Sequence, residues 1–146
     1  MGFCFFNNVA VAARHALDVH GLARVAIVDF DVHHGNGTED IVAGDQRILM
    51  CSFYQHPFYP PWDHSTASNL VNLPVPAYTK GMEVRELIDM MWLPRLDAHK
   101  PQMIFISAGF DAHREDDMGQ LALVENDYAW ITERIKEVAQ RHAKGR

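Results

Sequence analysis

The chain has 146 residues, 48% of them hydrophobic and 22% charged, with a net charge of −6 at pH 7. That is globular composition, with length for one domain and a sizeable core. No basic run is present, which argues against direct nucleic-acid binding, and no apolar segment approaches the ~20 residues that span a bilayer, so a cytoplasmic protein without a membrane partner is expected.

Residues 2–6 are apolar and aromatic, where most domains begin with polar, frayed chain. Phe3, Phe5 and Phe6 are expected in a core or a pocket wall. Asn7 and Asn8 are good N-caps for a helix over 9–20, and Gly21 supplies its stop. A short apolar run over 24–29 has no helical period and reads as a strand covered on both faces. Cys4 and Cys51 are the only cysteines. Both stand in apolar surroundings and are expected to be reduced and buried.

The first strand runs into Asp29-Phe30-Asp31-Val32-His33-His34-Gly35-Asn36-Gly37-Thr38. Asp29, Asp31 and His33 alternate, so in an extended segment their side chains leave on one side. Packing does not require three such groups at a buried strand end. A divalent metal does, because carboxylate oxygen with neutral imidazole is an ordinary zinc or iron(II) donor set.

Residues 39–42 read as a short helix or turn, and 48–53 as a second apolar strand. The loop over 55–68 carries His56, Phe58, Tyr59, Trp62 and His64 among three prolines. It is either a binding loop or one whose aromatics pack down on the surface. Residues 72–76 are extended, with Pro74 and Pro76 marking an edge strand. A helix is predicted over 83–93, with Val84, Leu87, Ile88, Met91 and Trp92 on one face, its methionines as core filler, and Pro94 closing it. A third strand over 102–107 ends in Ser107-Ala108-Gly109-Phe110-Asp111. Asn126 or Asp127 caps a last helix that turns Ile131, Ile135, Val138 and His142 to one side. Strands alternating with helices predict an α/β fold with a mostly parallel sheet, where ligands bind beyond the carboxyl ends of the strands. Asp29, Asp31, His33, Ser52 and Asp111 all lie there.

Three motifs carry a resemblance. Gly2-Phe3-Cys4-Phe5-Phe6-Asn7-Asn8, the block 29–38, and Ser107-Ala108-Gly109-Phe110-Asp111-Ala112-His113 resemble the histone deacetylase family, closest to its bacterial amidohydrolase and acetylpolyamine deacetylase branch. The resemblance implies a three-layer α/β/α, arginase-like domain, with 1–146 forming part of it. It implies zinc, with iron(II) as the alternative, on Asp31, His33 and Asp111. It implies that Asp29 orients a catalytic histidine and that Asn36 stands beside a second one. A structural potassium ion would sit among Asp29, Asp31, His33, Ser52 and Phe53. Gly2 and Phe3 would line an acyl-lysine tunnel opposite Tyr59. The implied substrates are acetylated lysine or acetylated polyamine, and a homo-oligomer is compatible with the family.

Departures from the family pattern set further expectations. The family's His-His pair precedes the Gly-Phe-Cys motif, and its Gly-Gly-Tyr segment follows the last helix; neither occurs in this sequence. Reduced turnover by this chain is therefore expected. Pro60-Pro61-Trp62 replaces a Pro-Gly-Thr-Gly turn found in many relatives. The alternatives are a non-catalytic acyl-lysine-binding module and an arginase-type hydrolase with two metals.

Overall fold

Four short runs rich in Ile, Val, Leu and Phe form one parallel sheet in the computed structural model, which describes residues 4–61 and 65–146. They are β1 (Val25–Asp29), β2 (Ile48–Gln55), β3 (Leu70–Val75) and β4 (Ile104–Ser107), in the spatial order β3-β2-β1-β4. Parallel strands cannot be joined by tight hairpins. Helix α1 (Asn8–Asp18) leads into β1, and α2 (Asn36–Val42) joins β1 to β2. A longer passage joins β3 to β4: α3 (Gly81–Leu87), a π-helical turn (Ile88–Trp92) and α4 (Leu93–His99). Helix α5 (Glu125–His142) follows β4.

The alternation of side chains along the strands divides the core into two layers. Ala26, Val28, Leu49, Cys51 and Phe53 face Val84, Ile88, Trp92, Leu96, Ile131 and Ile135 of the α3–α4 and α5 side. Val25, Ile27, Ile48 and Met50 face Ala10, Ala13, Ala16 and Leu17 of α1 and Val42 of α2. The three-layer α/β/α expectation is met, and β3, with Pro74, is an edge strand as its prolines predicted.

Asn7 caps α1 as expected, its Oδ1 accepting the Ala10 amide at 2.9 Å. Its Nδ2 donates to Thr38 Oγ1 at 2.8 Å, which fastens the start of α1 to α2. At α5 the cap differs from the prediction. The helix begins at Glu125, and Asp127 reaches back to accept the Val124 amide at 2.8 Å.

Three other expectations need correction. The helix over 83–93 does not stop at Pro94. It starts at Gly81 and continues to His99, because the main-chain bonding shifts to i→i−5 just ahead of the proline: the Leu93 amide donates to the Ile88 carbonyl. Met90 and Met91 are exposed, not core filler, since the buried line on this segment is Val84, Ile88, Trp92 and Leu96. Cys51 is buried within β2, but Cys4, ahead of the Asn7 cap, is exposed; Phe5 and Phe6 are exposed and not core, and they take the other expected place, in the wall of a cleft beside Asp29 and Asp31. No helix among the described residues is long and apolar enough to cross a membrane.

Register places the future site. Asp29 at the end of β1 stands opposite Ser52 of β2 on one side and Ser107 of β4 on the other. The carboxyl ends of β1 and β4 therefore share a rung with Ser52, beyond which β2 runs on to Gln55.

Candidate metal centre

The segment after Asp29 leaves the sheet, so the alternation of Asp29, Asp31 and His33 is not carried by an extended strand. Two successive Asp-turns carry it. Asp29 Oδ1 accepts the Asp31 amide at 3.1 Å, and Asp31 Oδ1 accepts the His33 amide at 2.7 Å. Each aspartate folds the chain back on the residue two positions on, the local bonding for which Asp is favoured in turns. The turn thus fixes its own side chains before any ligand arrives.

Asp111 arrives from the other strand end. Its Oδ1 accepts the Val32 amide at 2.9 Å, and its Oδ2 lies 3.1 Å from His33 Nδ1. The same ring nitrogen lies 2.9 Å from Asp31 Oδ1. One ligand atom from each of Asp31, His33 and Asp111 falls within 4.8 Å of the others. Their side chains are 22%, 14% and 19% exposed, so the cluster is half-buried but reachable.

Two glycines make this approach possible. A Cβ on Gly109 would stand 2.7 Å from Asp31 Cα and closer still to its Oδ2. A Cβ on Gly35 would stand 2.8 Å from Asp29 Oδ2. Neither position has room for a side chain.

Charge is unbalanced here. Three carboxylates surround a single imidazole. Burial pushes the Asp29 carboxyl up to about 6, and burial also raises Asp111, with the Asp31 charge adding to both. A divalent cation relieves that repulsion, and two carboxylates with one imidazole leave coordination positions open for water or substrate, as a catalytic site requires. The donor set fits such an ion.

The remaining expected residues are distributed as follows. Asn36 opens α2 and lines, with Asn7, Asn8, Asp29, Asp31 and Ser107, a cleft of ≈ 600 Å³ beside the cluster. Ser52 is fully buried on the Asp29 rung, and its Oγ lies 3.5 Å from the Phe53 carbonyl. Tyr59 is 57% exposed. Gly2, Phe3, Trp62 and His64 lie outside the described residues.

Two residues of the site escaped sequence reasoning. Phe58 stacks on the His33 ring, with centroids 5.5 Å apart and planes inclined by 26°. Glu39, in the first turn of α2, is buried and holds His34, the neighbour of His33. Phe58 was visible as an aromatic in a long loop beside a strand end. Glu39 had no signal, since an acid in a first helical turn is unremarkable by spacing alone.

Residues 1–146 match the family described as the histone deacetylase domain. The chain is 37% identical over 155 residues to a histone deacetylase-like amidohydrolase of Pseudomonas aeruginosa, covering 100% of this chain and 40% of that protein. The crystal structure of the HDA15 HD domain superposes with a TM-score of 0.89 at 33% identity, over 97% of this chain and 43% of the other. An acetylpolyamine aminohydrolase from Burkholderia pseudomallei superposes with a TM-score of 0.85 at 32% identity, over 97% and 43%. The chain spans less than half the length of these relatives.

Proposed function

The chain belongs to the histone deacetylase domain family, and from that premise we propose that it carries the metal-binding core of a zinc-dependent deacetylase that hydrolyses the amide of acetyl-lysine or an acetylated polyamine. The observation that carries this reading is the convergence of Asp31, His33 and Asp111 from two strand ends. When bound, zinc supplies a Lewis acid for the amide carbonyl and brings the pKa of water to about 7.

The chain's own residues hold and shape the site. Asp31 and Asp111 offer oxygens, and His33 offers Nδ1, the ring atom that faces both. Phe58 covers one face of the His33 ring and limits its rotation and wetting. Asp29 is assigned to orient a proton-transferring histidine, with Asn36 near a second. Among the described residues, the contacts of Asp29 are the Asp31 amide and the Ser107 hydroxyl, and none is a histidine. Slow turnover by this 146-residue chain is part of the proposal. Asp29, Ser52 and the main chain of Asp31, His33 and Phe53 are the proposed seat of a potassium ion, supported by the buried Asp29–Ser52 rung.

The test is metal stoichiometry together with acetate release from an acetyl-lysine peptide and from an acetylated polyamine. One zinc per chain, lost in Asp111→Ala, with slow or no release, is the expected result. Two metals per chain would favour the arginase-type alternative. Fast release abolished by Asp111→Ala would show that a base comes from within the chain and would overturn the roles assigned here. Peptide binding with a flat release trace would match the non-catalytic binding alternative.

A further inference from the structure

We propose that Glu39 is a positioning residue for the metal centre, locking the ligand turn to the loop that faces it; this rests on the metal reading above. Glu39 is only 1% exposed, yet its carboxylate is saturated by donors from three separate segments. His34 Nε2 lies 3.0 Å from Oε2 and donates to it. Asn72 Nδ2, from β3, donates to the same oxygen at 2.5 Å. The Ser65 amide donates to Oε1 at 2.7 Å. A buried carboxylate is costly unless its lone pairs are filled, so the three contacts hold one another in place.

Each contact reaches a part of the site. His34 follows the ligand His33 directly, is buried, and meets the Tyr54 ring edge-on at 4.4 Å between centroids. Holding its ring fixes the main chain of the turn that presents His33. Asn72, within β3, stands opposite Ser52 of β2, which in turn stands opposite Asp29 of β1. Ser65 lies seven positions after Phe58, the residue that stacks on the His33 ring, in the same β2–β3 connection. One carboxylate therefore joins the residue after His33 to the β2–β3 connection that carries Phe58. A displacement at Ser65 or Asn72 would therefore reach the turn that presents His33 through Glu39 and His34. Groups bonded behind a metal ligand commonly set its affinity by this route.

The test uses Glu39→Gln, which keeps the size of the side chain but replaces one accepting oxygen with a donor, and measures amide exchange and zinc affinity in the whole chain. The expected result is faster exchange at 33–35 and 65–67 together, with zinc affinity reduced ~10-fold. Asn72→Ala, which removes a single donor, should loosen the same two segments to a smaller degree. Loosening at 65–67 alone, with 33–35 as protected as in the wild type, would overturn the proposal and leave Glu39 a local loop anchor. Unchanged exchange at both segments would overturn it equally. If the wild-type chain bound no zinc, the metal reading would fall, and the exchange coupling would still decide the role of Glu39.

Discussion

Asp111 accepts the Val32 amide through one carboxylate oxygen and faces His33 through the other. One oxygen is structural and one is free for a cation, and substitutions can separate the two. Asp111→Asn retains an acceptor for the Val32 amide and should fold with near wild-type stability while losing most zinc affinity. Asp111→Ala strands a buried amide and should lose a further ~1–3 kcal/mol in a denaturant titration. Zinc at a hundred times its Kd should stabilise the wild type by about 2.7 kcal/mol, and the asparagine variant by far less at the same concentration.

Gly109 is read as a spacing residue. Its Cα packs so close to Asp31 that any Cβ collides with main chain as well as carboxylate. Gly109→Ala should cost on the order of 1–3 kcal/mol, because the backbone of a ligand turn cannot retreat as a flexible side chain would. Gly37→Ala is the control: its Cβ would meet nothing nearer than Asn7 Nδ2 at 3.9 Å. Equal unfolding midpoints for the two variants would contradict the argument.

Asn69 closes the α2–β2 connection from inside. Its Nδ2 serves the carbonyls of Val42, Asp45 and Ile48 at 2.9, 3.2 and 2.9 Å, and its Oδ1 accepts the Gly44 amide at 2.8 Å. Asn69→Ala should destabilise by ~2–3 kcal/mol through carbonyls left without donors. Asn69→Asp should be worse at pH 7, since an anion then points at three carbonyl oxygens. Part of that excess should vanish on acidification, as the protonated acid regains one donor.

Glu39 also sets a pH dependence. Burial acts to raise its carboxyl, but the hydrogen bonds from His34, the Ser65 amide and Asn72 outweigh it and hold the group at about 2, below the ordinary 4.5. The unfolded chain thus binds the proton more tightly than the folded one. The stabilisation is complete above pH ~4.5 and fades as pH falls toward 2, with a total of about 3 kcal/mol for a shift of this size. The stability gap between wild type and Glu39→Gln should therefore narrow on acidification through that window. A gap that stays constant between pH 6 and pH 3 would show that the charge on Glu39 contributes nothing.

The strands were legible because each is an apolar run ended by a polar turn, a signal contained within five or six neighbours. The candidate cluster was legible for the same reason: Asp31 and His33 stand two positions apart in one polar turn, and Asp111 ends a run of its own. Their mode of display was not. Alternation suggests a strand, whereas the Asp31 and His33 amides bond the aspartates two residues earlier, a choice made by side chains competing with the sheet. Contacts between distant residues left no trace: Glu39 meets Asn72 across 33 positions, and Phe58 reaches His33 across a proline-bearing loop. Met90 and Met91 were misplaced because the segment was read with a uniform helical period that it does not keep.

That broken period has a purpose. Val84, Ile88, Trp92 and Leu96 are spaced by four and are all buried against the sheet. In a regular α-helix each step of four overshoots a full turn by ~40°, so Leu96 would point ~120° away from Val84. A wider i→i+5 turn takes more residues per revolution and rotates the later side chains back. Ile88–Trp92 lies in the middle of the run, where one correction serves both halves. The π turn acts as a vernier between two short helices and keeps a single ridge in phase with the groove it fills. Deleting one residue there should close the wide turn into regular α-helix and leave Leu96 eleven positions from Val84, only ~20° from its direction, so the ridge would keep its phase without the π turn.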